Sequence, residues 1–128
     1  MLTFLKKFFG TKSEKDIKSI QPLVDKTIEI YPSLASLSND QLREKVSAFK
    51  NQIKTAIQTE QTQIDEIKAR IEKEIDMSVD TKEELYKEID GYEKEITQKI
   101  EDVLNEILPE AYAVLKDTAR RFSENEEV

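Results

Sequence analysis

An all-α fold is the expectation for this chain, and three observations carry it. Only two Gly and three Pro occur in 128 residues, too few to punctuate the short strands and frequent turns of a β protein. Apolar residues recur at alternating steps of three and four over long stretches, the period of an amphipathic helix. Glu, Lys, Gln, Leu and Ile, all of which favour helix, fill the intervening positions. Apolar and charged residues are nearly equal, at 38% and 37%, so the apolar supply is thin for the length. Long elements with few breaks are the natural solution, and the specific architecture expected is extended helices with an antiparallel coiled-coil hairpin.

The first element spans residues 1–12 and is a short amphipathic helix. Met1, Leu2, Phe4, Leu5, Phe8 and Phe9 share one broad face, while Thr3, Lys6, Lys7 and Gly10 make the polar one. Gly10 suits a C-terminal stop. Such a helix can lie in a membrane interface, its rings in the acyl boundary and its ammonium groups near anionic headgroups. Leu2, Phe4, Leu5, Lys6, Lys7, Phe8 and Phe9 are the candidate membrane-contact residues. The same pattern also suits a helix that docks its Phe face on the rest of a larger protein.

Residues 13–53 form the next segment. Ser13 offers an N-cap, with Glu14 and Asp16 in the first turn. A helix should follow to about Ile30 with a seam of Ile17, Ile20, Val24, Ile28 and Tyr31. Pro22 should kink it or divide it at Gln21, and Pro32 should close it. Ser38 and Gln41 have the spacing of a capping box, with Leu37 placed to staple onto Leu42. From there Leu42, Val46, Phe49, Ile53 and Ile57 make a seam that thins near Glu60 and resumes at Ile64, Ile67, Ile71 and Ile75. No Gly or Pro interrupts residues 33–90, so one helix should run from about Asn39 to Asp76.

Residues 54–105 are expected to be a helical hairpin. Met77-Ser78-Val79-Asp80 is its turn, and Thr81 with Glu84 repeats the capping-box spacing. The returning seam is Leu85, Ile89, Tyr92, Ile96, Ile100, Val103 and Ile107, an 11-residue repeat that fits a nearly straight helix. Glu66 to Arg70, Glu83 to Lys87, Asp90 to Lys94 and Glu95 to Lys99 are i, i+4 pairs with the acid first, the better order. Gly91 is the weak point, and Asp90-Gly91 is an alternative place for a break. Residues 106–128 should open a fresh helix with Pro109 at its first position. Ala111, Val114, Leu115, Thr118, Ala119 and Phe122 line one face, and an acidic tail follows.

Net charge is −7 and unevenly spread. Residues 1–20 hold five Lys against Glu14 and Asp16, a net +3 that leaves −10 for the rest. An acidic body argues against nucleic acid, which needs a clustered basic surface. The basic N-terminus suits an anionic surface. No apolar run approaches the roughly 20 residues of a membrane-spanning helix. Lys6 and Lys7 sit inside the only apolar N-terminal stretch, and no cleavage pattern follows, which argues against a secretory signal.

Chemistry has little to stand on. There is no Cys and no His, which excludes disulfides, thiolate zinc sites and Ser-His or Cys-His catalysis. It also removes the usual general base near neutral pH. A phosphate loop needs clustered glycines followed by Lys and Ser or Thr, but Gly10 and Gly91 stand alone. The acids spread along polar faces as a solvated surface. No catalytic, cofactor-binding or metal-binding residue is assigned, and the chain is not expected to be an enzyme by itself.

Two stretches nonetheless carry a resemblance. Leu37–Ile53 (LSNDQLREKVSAFKNQI) and Ile107–Arg121 (ILPEAYAVLKDTARR) resemble the N-terminal region of SecA, the motor ATPase of bacterial protein export. Leu108, Pro109, Glu110, Ala111, Tyr112, Ala113 and Val114 fall in family order and are its most specific part. Residues from about Lys54 to Asn105 look like an insertion between the two. The resemblance implies the N-terminal portion of a cytoplasmic, membrane-peripheral translocase. ATP and Mg²⁺ would belong to the full-length parent, with none of their contacts mapping here. The implied partners are the SecYEG channel, preprotein and an anionic membrane surface, with a homodimer also open. The rival expectations are an autonomous acidic coiled-coil adaptor and a membrane-shaping helical protein.

Overall fold

The computed structural model describes residues 12–125. The N-terminal helix expected over residues 1–12 therefore falls almost wholly outside the described residues, as do all its candidate membrane-contact side chains. Three helices make up the rest: α1 (Lys12–Leu34), α2 (Asn39–Lys73) and α3 (Val79–Glu124). The described residues contain no strand. The fold is all-α, with long helices and a helical hairpin.

The caps explain where α2 and α3 begin. At α2 the Gln41 amide donates to Ser38 Oγ at 3.2 Å, and the Ser38 amide donates to Gln41 Oε1 at 2.8 Å. This is the reciprocal capping box expected from the sequence. At α3 the cap is Ser78, not Thr81. The Thr81 amide donates to Ser78 Oγ at 3.2 Å and the two hydroxyls lie 2.8 Å apart. Ser78 reaches the orphan N–H one turn earlier, so Thr81 is already helical.

The prolines correct the expected boundaries. α1 runs on through both Pro22 and Pro32, and α3 passes through Pro109 without a fresh start. Each proline deprives the carbonyl four residues earlier of its N–H partner. Residues 18, 28 and 105, which supply those carbonyls, all occupy exposed positions, where water can take the bond. Gly91 does not break α3 either. α2 stops at Lys73, three residues earlier than expected, so Ile75 leaves the seam and is 88% exposed.

The chain divides into two compact units, Met1–Leu42 with Leu108–Val128, and Arg43–Ile107. The second unit is the hairpin. Its core is Ile64, Ile67, Leu85 and Ile89, with Ile71, Met77, Tyr92 and Ile96 packed against them. Antiparallel register is visible in its polar cross-links. Lys99 Nζ donates to Glu60 Oε1 at 2.6 Å, and farther from the tip Gln52 approaches Glu106 at 3.5 Å. Lys99 thus spends its charge across the hairpin rather than on Glu95. Arg70 pairs with Glu74 at 3.7 Å in place of Glu66, while Glu83 and Lys87 pair as expected at 3.1 Å.

In the first unit Leu34, Leu42, Ala113 and Val114 are the buried apolar residues, joined by Pro109. The covered side of α1 is Leu23, Thr27, Ile30, Tyr31 and Leu34. Of the expected seam, only Tyr31 lies on that side. Ile17, Ile20, Val24 and Ile28 are all exposed. On α3, Val114 is covered as expected, but Leu115 and Phe122 are exposed and Asp117 takes the inner position.

Candidate functional site

The most constructed polar site in the described residues is built on the last turns of α3. Asp117 follows Ala113 and Val114 by three to four residues, so it falls on the buried side of the helix. Arg120 and Arg121 follow it by three and four residues, where their side chains reach back to it. Asp117 is 1% exposed, a position where an unpaired carboxylate would be very costly. Both of its oxygens are occupied. Oδ1 accepts from Arg120 Nε at 3.2 Å and from Nη2 at 2.9 Å, and Oδ2 accepts from Arg121 Nε at 2.8 Å. Burial pushes this carboxyl upward, but the hydrogen bonds and charges of Arg120 and Arg121 outweigh it and hold it below the usual aspartate range.

Arg121 carries the arrangement outward. Its Nη1 donates to Asn39 Oδ1 at 2.8 Å, and its Nη2 donates to the carbonyls of Leu34 at 3.1 Å and Leu37 at 2.5 Å. With the bond to Asp117, four of the five guanidinium N–H groups have protein partners. Those partners are the last residue of α1, the turn after it and the first residue of α2. The Leu34 carbonyl, at the end of α1, also accepts from the Leu37 amide at 3.1 Å, and the Leu37 carbonyl lies in the turn before α2. One guanidinium therefore fastens the α1–α2 corner to α3. Beside it Lys116 Nζ sits 4.5 Å from the centre of the Tyr31 ring, a cation–π contact between α3 and α1. Arg120 also pairs with Glu124 at 2.5 Å.

This site positions backbone. It offers no free nucleophile or base, because its charges are already committed to one another. Among the described residues no group of three or more acids gathers as a metal site. The hairpin holds a second buried acid: Glu60 is 6% exposed, Oε1 meets Lys99, and Oε2 has no hydrogen-bond partner. The Lys99 hydrogen bond holds the Glu60 carboxyl below its usual range, with help from a backbone hydrogen bond and against burial.

Sequence reasoning assigned no role to Asp117, Arg120 or Arg121, although Arg121 closes one of the two stretches that carried the resemblance. The signal available was an acid on the apolar side of a helix with two arginines one turn later. The candidate membrane residues Leu2, Phe4, Leu5, Lys6, Lys7, Phe8 and Phe9 lie outside the described residues. No helix among the described residues is long and apolar enough to cross a membrane.

Comparison with known proteins follows the same residues. The SecA DEAD-like domain family matches residues 5–128. The protein translocase subunit SecA of Parabacteroides distasonis is 46% identical over 125 residues, covering 98% of this chain and 11% of that protein. The SecA subunit of Phocaeicola vulgatus is 44% identical over the same length, again 98% of this chain and 11% of the relative. That of Flavobacterium psychrophilum is 46% identical over 124 residues, 97% and 11%. The hairpin thus falls within the matched stretch. The chain spans about one-ninth of the length of these relatives. No solved structure shows a significant match.

Proposed function

Because this chain belongs to the SecA family, matching its DEAD-like domain over residues 5–128, we propose that it serves as the N-terminal portion of an ATP-driven motor that moves preproteins through the SecYEG channel. The supporting observation is identity of 40–46% with translocase subunits over 97% or more of the chain. An autonomous coiled-coil adaptor would account for the helices but not for that agreement along the whole length.

In this reading the described residues supply architecture to the motor. Arg121 and Asp117 set the corner between α1 and α2, and the hairpin is an accessory arm over residues 54–105. ATP and Mg²⁺ act elsewhere in the parent. The residues here do not fit them, because the only glycines, Gly10 and Gly91, are isolated and Gly91 lies within a helix. The parent works in the cytoplasm and at the cytoplasmic face of the membrane, with Leu2, Phe4, Leu5, Lys6, Lys7, Phe8 and Phe9 making the lipid contact.

The motor reading is tested with a full-length chain that carries these residues. It is expected to hydrolyse ATP and to carry a signal-bearing preprotein into proteoliposomes containing SecYEG. A full-length chain that does neither would overturn the reading. The lipid contact has its own test. Each lysine near an anionic surface contributes about 1 kcal/mol, so Lys6→Glu with Lys7→Glu should sharply reduce flotation with anionic liposomes. Equal flotation of wild type and variant would favour docking of the Phe face within the protein.

A further inference from the structure

The hairpin tip displays apolar side chains that its own fold leaves uncovered. Among the described residues the two most exposed large apolar side chains are Ile75, at 88%, and Val79, at 79%. Both stand where α2 turns back into α3. Neither belongs to the hairpin core, whereas Met77 between them packs against it, so the hairpin closes without their help. Local backbone structure holds both in place. The Met77 amide donates to the Glu74 carbonyl at 3.3 Å, which puts Ile75 and Asp76 at the centre of a tight turn. Ser78 caps α3 and makes Val79 its first residue. Turn centres ordinarily take Gly, Pro, Asn, Asp or Ser, and nothing in the local geometry calls for isoleucine. Tyr86 lies two turns beyond Val79 on the same side of α3 and is 54% exposed. Single exposed apolar residues are ordinary, but three at the end of one arm form a patch of the kind that marks an interaction surface.

We infer that this tip docks on another protein, against a cationic segment that carries an apolar face. Charge chooses the occupant. Between residues 72 and 84 the chain holds Glu72, Glu74, Asp76, Asp80, Glu83 and Glu84, all exposed, against Lys73 and Lys82 alone, a net charge of −4. Arg70 and Lys87, just outside, pair with Glu74 and Glu83 and still leave the tip acidic. Asp76 and Asp80 each directly follow an exposed apolar residue, Ile75 and Val79. Such a rim repels the anionic headgroups of a membrane and the phosphates of a nucleic acid, and it attracts lysine and arginine. A second copy brings a net charge of −7 and the same acidic tip. A cationic partner gains twice, because charge steers the encounter and apolar contact at the centre holds it. These tip residues carry the inference without the motor reading above.

The probe is a fluorescein-labelled amphipathic peptide of lysine and leucine, titrated by fluorescence anisotropy with a full-length chain that carries these residues. Saturable binding is expected, with one peptide per chain. Ile75→Ser with Val79→Ser should weaken it about ten-fold or more, because central apolar contacts carry most of such an affinity. Asp76→Lys with Asp80→Lys should weaken it comparably. Glu93→Lys with Glu101→Lys reverses two exposed acids away from the tip and should change affinity by less than about two-fold at physiological salt. All the replaced side chains are exposed, so the variants should keep the fold, which circular dichroism checks. Absence of saturable binding overturns the inference, as happens if another part of the full-length chain already covers the tip. So does wild-type affinity in the serine variant, or equal weakening by the Glu93 and Glu101 changes, which reduces the contact to diffuse charge. Two further measurements address the other occupants. Flotation with anionic liposomes, and sedimentation over a range of protein concentrations, should each be the same for wild type and the serine variant. Loss of flotation in the variant assigns the tip to lipid, and loss of self-association assigns it to a second copy; either result overturns the inference.

Discussion

Asp117 concentrates the cost and the benefit of burying charge in one side chain. At 1% exposure it depends on Arg120 and Arg121, and Arg121 in turn depends on it for orientation toward Leu34, Leu37 and Asn39. Removing the carboxylate leaves two partly buried guanidinium groups without their shared acceptor. Asp117→Ala should therefore destabilise the chain by roughly 2 kcal/mol, read as a lower urea midpoint with little change in slope. The sign of the pH effect follows from the direction of its shift. A carboxyl held below its unfolded value contributes stability in full above the normal aspartate range. That contribution is lost as pH falls through the depressed value, below about pH 4. Asp117→Asn should flatten this acid limb of the stability profile. If the variant and wild type lose stability in parallel below pH 4, the arginines are not holding the carboxylate as described.

At the scale of the element, the hairpin shows what a single sequence makes legible. Its seam residues were readable from spacing alone, because each arm has one dominant apolar side and each side needs the other. The Ser38 box was readable because capping is local chemistry. Less legible was the continuity of α3 through Pro109, since a local rule places proline at a helix start while packing on both sides keeps the helix going. Nor could spacing show that Lys99 prefers Glu60 to Glu95. That choice depends on which side chains the fold brings together across 39 positions. The clamp was illegible for the same reason, as Arg121 acts on residues more than 80 positions away.

Two predictions belong to this hairpin. Gly91 sits in mid-helix, and a Cβ added there would meet no atom within 4 Å. Gly91→Ala should accordingly stabilise the hairpin by about 0.5–1 kcal/mol, seen as a higher melting temperature. An unchanged or lower value would mean that the glycine serves a purpose beyond the helix itself. Glu60 and Lys99 interrupt the apolar seam with a charge pair, and Glu60 Oε2 goes without a partner. Replacing the pair together with leucines should leave stability equal or higher, while Lys99→Met alone, which strands the carboxylate, should lower it. The polar pair should nonetheless favour one register. Disulfide trapping between cysteines placed across the double-leucine hairpin should capture neighbouring registers that wild type does not populate. A single trapped register in both proteins would remove that role from the pair.

At the scale of the whole molecule, the two units differ in how far they are self-sufficient. The hairpin closes its own seam, and its outer positions are charged and exposed. The first unit is fastened internally by Arg121. A self-contained arm should be separable from it. Among the described residues the Arg121 guanidinium hydrogen-bonds to residues 34, 37, 39 and 117, and none of these lies between 54 and 103. Replacing residues 54–103 with a short Gly/Ser linker should therefore leave the clamp closed. Hydrogen exchange should show unchanged protection of the amides in the last turns of α3. In a full-length chain the same replacement should leave basal ATP hydrolysis nearly intact and impair only steps that use the arm, such as partner docking or the coupling of hydrolysis to transport. Each arm of a hairpin over 54–105 would extend about 35–40 Å at 1.5 Å per residue, long enough to reach a partner well beyond its own base. Loss of solubility or of basal hydrolysis on deletion would show instead that the hairpin takes part in forming the core, and the separation of labour between the two units would have to be abandoned.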